Sequence, residues 1–264
     1  MTPKPGARQR RLGQNFLRDP NLLDAIVRDA GVGPRDVVLE VGGGGGALSE
    51  RLAPAVGALH VVELDERLRG ELEPLAAELG NVSLHWGDAM RIDLAALAPA
   101  PSAVVSNLPY SVATPLLLRM IETLPSVASW TVMVQFEIAE RLAAAPSTRA
   151  YGSPSVVAQL ACEVEVVRKV DPAVFVPRPR VASAILRMRR RGPAASERLR
   201  DLVRAGFAHR RKSLARSLDL AGEPNGVDRE RALDALRAAG LREDARAESL
   251  SPEDFARFAA KLDL

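Results

Sequence analysis

Five short apolar runs that alternate with helix-like stretches set the strongest limit on how this chain folds. They are DVVLEVG (36–42), ALHVVEL (58–64), VSLHWGDA (82–89), SAVVSN (102–107) and WTVMVQ (130–135). Between and before them lie DPNLLDAIVRDAG, a stretch from Gly46 to Ala53, ERLRGELEPLAAEL and ATPLLLRMIETL. The first of these has Asp19 to cap a helix, Pro20 at its first position and Gly31 to stop it. Strands spaced by helices build βαβ units and a parallel α/β sheet, with ligands at the strands' carboxyl ends. The 264 residues, 47% of them hydrophobic, suffice for one large domain, or one plus a smaller one.

After EIAERLAA the rhythm changes. EVEVVRKV and VASAILRM read as further strands separated by the proline-rich DPAVFVPRPR, and beyond Gly192-Pro193 the chain is helical. SPEDFARFAAKL carries a capping box, Ser251 with Asp254 three residues on. A boundary therefore falls near residue 190. Residues 1–190, with a basic N-terminal segment at 1–18, form a catalytic domain, and 191–264 a small all-helical domain.

The glycine-rich turn after the first strand points to a bound cofactor. In VLEVGGGGGALSERL, Gly42, Gly44 and Ala47 satisfy a dinucleotide fingerprint, and Glu63 lies where an NAD enzyme places its ribose-binding acid. S-adenosylmethionine (SAM) fits further features. Glu40 ends the strand in an E-x-G-x-G-x-G pattern, with its acid near a sulfonium or amino group. Asp88 closes the third strand, where it can accept from an adenine amine while Glu63 holds ribose hydroxyls. The fourth strand ends in Asn107-Leu108-Pro109-Tyr110, which no hydride transfer requires. A side-chain amide, backbone carbonyls and an aromatic face within four residues suit a flat, hydrogen-bonding base.

That tetrapeptide resembles the motif of amino-methyltransferases, in the N-[IL]-P-Y form of the ribosomal RNA adenine dimethyltransferase family. LGQNFLRDP (12–20), NLPYSVATPLL (107–117), YGSPSVVAQ (151–159), VFVPRPRVASAIL (174–186) and FAHRRKSLARSL (207–218) are similar, in order, to its small-subunit, KsgA-type branch. The resemblance spans residues 12 to 260. It implies a Rossmann-like class I SAM-dependent methyltransferase domain. The expected activity is transfer of methyl groups from SAM to N6 of two adjacent adenines in a 3′-terminal hairpin of 16S rRNA. By the same resemblance Asn15 and Leu17 close over the cofactor, Gly42 and Gly44 admit its methionine part, and Glu63, Asp88 and Ala89 hold its nucleoside. Asn107 sits between the two substrates, and Phe175 offers a second stacking face, with packing against the core as its alternative. Three departures stand out. Gly43 and Gly45 replace a usual Pro and Leu, QFE (135–137) replaces QKE, and Ala182 replaces an Asp.

Charge and composition narrow the partners. The net charge is +3, but thirteen Arg or Lys face two acids between Arg178 and Arg216. Such a stretch is either a solvated surface or a footprint for RNA phosphates. Arg210, Arg211 and Lys212, on an expected helix, would fan over roughly 200°. His60, His85 and His209 lack metal-ligand spacing, so no metal is expected. Cys162 is the single cysteine, which excludes an internal disulfide and suits a reducing cytosol. The basic N-terminus lacks an apolar signal core, and no apolar run is long enough to span a membrane. The expectation is a cytoplasmic monomer acting on small-subunit rRNA or a pre-30S particle. The alternatives are a large-subunit 23S rRNA dimethyltransferase, a non-catalytic RNA-binding assembly factor on the same scaffold and, more distantly, the NAD dehydrogenase.

Overall fold

The computed structural model describes residues 16–17, 19–222 and 226–263. They form two compact units. The first takes the described residues up to Ala139 together with Val164–Arg190, and the second takes Glu140–Glu163 with those from Arg191 onward. Sequence reading placed 140–163 in the first domain. It belongs to the second because Tyr151 is buried there, its hydroxyl donating to the Leu250 carbonyl at 2.7 Å and its ring edge meeting Phe207.

The strands are β1 (Phe16–Leu17), β2 (Val37–Val41), β3 (Ala58–Glu63), β4 (Val82–Trp86), β5 (Ala103–Asn107), β6 (Ser129–Gln135), β7 (Cys162–Val170), β8 (Phe175–Val176) and β9 (Ser183–Arg190). Seven form one sheet in the order β4-β3-β2-β5-β6-β9-β7, and β1 pairs with β8 in a separate two-stranded ladder. From β4 through β6 neighbouring strands run parallel, as the apolar runs imply. β9 departs from this. It lies antiparallel on β6, with Ser183 opposite Gln135. Strands covered on both faces read as unbroken Val/Leu runs, and Val38–Val41 and Ala103–Ser106 are buried throughout.

The helices are α1 (Pro20–Ala30), α2 (Ser49–Leu52), α3 (Arg69–Leu79), α4 (Ala113–Thr123), α5 (Phe136–Leu142), α6 (Ser153–Ala161), α7 (Glu197–Ala208), α8 (Leu214–Ala221), α9 (Arg229–Ala238) and α10 (Pro252–Ala260). α1 starts and stops where its sequence says. Asp19 accepts from the Leu22 amide at 2.9 Å, and Gly31 turns left-handed at φ 64°. The helix expected from Gly46 begins only at Ser49, because positive φ at Gly42, Gly44 and Gly46 keeps the chain out of right-handed helix. Arg190 closes the sheet's far side. Its guanidinium donates to the carbonyls of Ile121 and Leu124 at the end of α4 and of Val127 in the turn beyond it, and lies 5.0 Å over the buried Trp130 ring. A cation there complements the exposed carbonyls of a helix C-terminus.

In the second unit Phe207 stacks on Phe255 at 5.9 Å, and the Ser251–Asp254 capping box closes as its sequence pattern requires. No helix among the described residues is long and apolar enough to cross a membrane.

Candidate functional site

The sheet order reverses between β2 and β5. From β2 the chain steps outward through β3 to β4, then returns to β5 and continues to β6. Ligands settle outside the carboxyl ends of strands at such a switch point. A pocket opens there, lined by Phe16, Gly42, Gly44, Glu63, Leu64, Asp88, Ala89 and the whole of Asn107–Tyr110.

Bare backbone makes one wall. A side chain at Gly42 would stand 3.5 Å from the Asn107 carbonyl oxygen and 3.6 Å from the Pro109 ring, and one at Gly44 would meet the Phe16 ring at 3.2 Å. Glu63, at the end of β3, fixes that wall. One carboxylate oxygen accepts the Gly44 amide at 2.9 Å and the other accepts the Asp65 amide at 2.8 Å. A carboxylate offers about four lone-pair positions, so two remain for a pair of hydroxyls.

Asp88 follows β4. Its Oδ1 accepts the Met90 amide at 2.9 Å, and Arg91 approaches its Oδ2 at 3.7 Å. Sequence reading missed the residue that holds this turn. Arg119, from α4, donates to the carbonyls of Ala89 at 2.6 Å and Ile92 at 3.1 Å. The only signal was a lone cation in the otherwise apolar LLLRMI.

Opposite these groups, Asn107 ends β5 and the Leu108 amide donates to the Met133 carbonyl at 3.0 Å, extending the ladder by one bond. The Leu108 side chain is buried. Tyr110 lines the pocket with its hydroxyl 2.6 Å from the Ser183 hydroxyl, and burial pushes its phenol above the ordinary value. Proline at 109 fixes φ and keeps Leu108 extended.

Several expected residues lie elsewhere. Glu40 does not line the pocket. It is 1% exposed and accepts a 2.6 Å bond from the Ser49 hydroxyl. Burial pushes its carboxyl up to about 8, with the Ser49 bond opposing and Glu63 adding. Leu17 turns its side chain into the core, and Phe16 is the residue that faces the pocket. Phe175 is also core. It stands opposite Leu17 in the β1–β8 ladder, 2% exposed, so its ring offers no stacking face. Asn15 lies outside the described residues.

Arg210, Arg211 and Lys212 occupy the turn between α7 and α8, not a helix. Arg210 is committed within its own unit, donating to Glu248 at 2.7 Å and to the Arg149 carbonyl at 3.1 Å, while Arg211 and Lys212 are exposed.

His60 and His85 form a structural pair. A carbonyl only accepts, so the 2.9 Å contact with Pro99 makes His60 Nε2 a donor. His60 Nδ1 then accepts from His85 Nε2 at 3.0 Å. No group of His, Cys, Asp and Glu that could hold a metal ion occurs among the described residues.

Comparison with known proteins places this site in a family. The model of the family described as ribosomal RNA adenine dimethylase matches residues 7–263. A protein of Rubrobacter xylanophilus named ribosomal RNA small subunit methyltransferase A is 44% identical over 256 residues, covering 96% of this chain and 94% of its own length. Its namesake in Rhodospirillum rubrum is 41% identical over 97% of this chain and 88% of its own. Among solved structures, a dimethyladenosine transferase from Plasmodium falciparum shares the fold. Its TM-score is 0.79 at 24% identity, over 94% of this chain and 97% of that one. The 23S rRNA methyltransferase ErmE superposes with TM-score 0.69 at 29% identity, over 95% of this chain and all of that one. A family match across nearly the whole length, on a switch-point pocket closed by Asn107–Tyr110, means that the chain belongs to the ribosomal RNA adenine dimethylases.

Proposed function

We propose that this enzyme transfers methyl groups from SAM to N6 of adenines in small-subunit rRNA, two on each of two adjacent adenines of a 3′-terminal hairpin, during ribosome assembly. The observation that carries this reading is the placement of Asn107–Tyr110 across one pocket from Glu63 and Asp88. The residues fit the cofactor. The bare backbone at Gly42 and Gly44 leaves room for its methionine part, Glu63 keeps two acceptor positions for ribose hydroxyls, and Asp88 with Ala89 suits its adenine. When bound, SAM supplies an electrophilic methyl group on its sulfonium.

The chain's own residues then prepare the nucleophile. An adenine N6 amine is poor because its lone pair is delocalised into the ring. The Asn107 side-chain oxygen and the Leu108 carbonyl accept its two N–H bonds, drawing the nitrogen toward tetrahedral geometry and freeing the lone pair. Tyr110 stacks on the base, worth roughly 1–3 kcal/mol on comparable platforms. The adenine must be unpaired or flipped out to enter. Catalysis is positioning and electrostatics. After the first transfer one N–H remains, and the same acceptors hold the rotated methylamine. Arg211 and Lys212 contact phosphates, and the enzyme works in the cytoplasm as a monomer on a pre-30S particle.

A large-subunit substrate is the second reading, favoured by the likeness to ErmE. The small-subunit names of the relatives at 41–44% identity weigh against it. A nicotinamide enzyme leaves the tetrapeptide without a role, and a non-catalytic factor would have no use for Glu63, Asp88 and Asn107 on one pocket. Incubation with labelled SAM and unmodified small or large subunits, followed by mapping of the label, tests the reading. Label on adjacent adenines of the small subunit is the expected result, and label only on the large subunit would replace it with the second reading.

A further inference from the structure

Tyr110 is held at both ends. Its backbone belongs to the turn that leaves β5, where the Val112 amide donates to the Pro109 carbonyl at 3.2 Å. Its hydroxyl reaches Ser183 at 2.6 Å. Ser183 is fully buried and begins β9, 73 positions along the chain, fixed opposite Gln135 on β6. β6 is in turn the strand paired with β5, with Met133 opposite Asn107. The ring therefore bridges from the end of β5, past β6, to β9. A tyrosine attached only through its backbone can swing its ring about the first side-chain torsion, and a bond to the phenol oxygen removes that swing; rotation about the second torsion leaves the oxygen in place. Tyr110 is only partly buried and faces the pocket, so its orientation is not otherwise enforced by packing on every side.

We propose that Ser183 is a positioning residue for substrate binding: its hydroxyl anchors the Tyr110 phenol so that the ring stays in the pocket wall, ready for the incoming adenine. This rests on the function proposed above. Ser183 does not line the pocket, and its effect travels through Tyr110 alone. Preorganising the ring lowers the ordering cost of binding the base, so the benefit falls on the RNA side of the reaction and leaves the cofactor side untouched.

Methyl transfer to unmodified small subunits, with both substrates varied, measures this. Ser183→Ala is expected to raise KM for the subunit about five- to tenfold, the worth of one neutral hydrogen bond, with KM for SAM within twofold of wild type. Tyr110→Phe removes only the other end of the same bond and should match it, and the double variant should be no worse than either single one. Additive losses, or a KM for SAM that rises in step, would overturn the proposal. A second readout needs no substrate. The chain has two tyrosines, Tyr110 and Tyr151, so ring-labelled tyrosine gives two resolvable sets of NMR signals. Ser183→Ala should change the Tyr110 set and leave the Tyr151 set in place, and an unchanged Tyr110 set would also overturn it. If wild type methylates neither subunit but the ring signals respond, the functional reading falls while the anchor stands.

Discussion

Asn107 and Glu63 show how much one side chain decides. Asn107→Ala removes the acceptor for the target amine while leaving the β5 ladder intact. Its kcat should fall at least about 100-fold, by the scale known for single preorganised polar groups, with the melting temperature shifting by no more than about 2 °C. Retained turnover would end the mechanism. Glu63 does two jobs, gripping the glycine loop through the Gly44 amide and keeping acceptor positions toward the pocket. Glu63→Gln keeps an acceptor for one amide but loses the charge, so Kd for SAM should rise about tenfold or more in an isotope-binding titration. These polar residues were legible from sequence because each sits at a strand's end, a position the apolar runs mark. The residues that support them were not. Ser183 and Arg119 act through partners 73 and 30 positions away, and nothing local in the chain announces a bond of that span.

The glycine loop shows the limits of local reading at the scale of an element. Its extra glycines invite the expectation of a floppy turn, yet Gly43 is enclosed. A side chain there would come within 2.4 Å of the Val61 side chain. Gly43→Ala should cost about 1–3 kcal/mol in denaturant unfolding, and Val61→Ala should recover part of that loss in the double variant. Glu40 adds a pH signature to the same element. Its carboxyl in the folded chain, near 8, lies above the unfolded value of 4.5. The folded state thus binds a proton that the unfolded chain has released at neutral pH. The resulting stability is complete below pH 4.5 and disappears as pH rises through 8. Wild type should therefore lose stability between about pH 5 and 8 relative to Glu40→Gln, most steeply midway at about 1.4 kcal/mol per pH unit, and level off above pH 8. Parallel curves would show that Glu40 ionises normally. Sequence suggested an acid facing the cofactor here. The apolar run placed Glu40 correctly on β2, but not the partner that holds its carboxyl in the core, Ser49, nine residues on.

The whole molecule carries a net charge of only +3, so its attraction to RNA depends on where the cations stand. Arg210 already has partners, leaving Arg211 and Lys212 exposed in the α7–α8 turn. Replacing both with Ala should reduce the salt dependence of RNA binding by about two in log–log slope, measured by filter binding across salt concentrations. An unchanged slope would remove that turn from the RNA contact. At this scale the parallel α/β layout and the helical tail were readable from periodicity. The assignment of 140–163 to the second unit was not, because it turns on the burial of Tyr151 among residues near 207 and 250. The position of β9 has a consequence during synthesis. The outer edge of β6 is covered by a strand that the ribosome delivers about 48 residues later, a delay of several seconds at ~5–20 residues per second. Throughout that interval the nascent chain carries an apolar strand with an unpaired rim, the kind of surface that recruits a stray neighbour. The brace that steadies the substrate's seat is thus the last piece of the sheet to be translated.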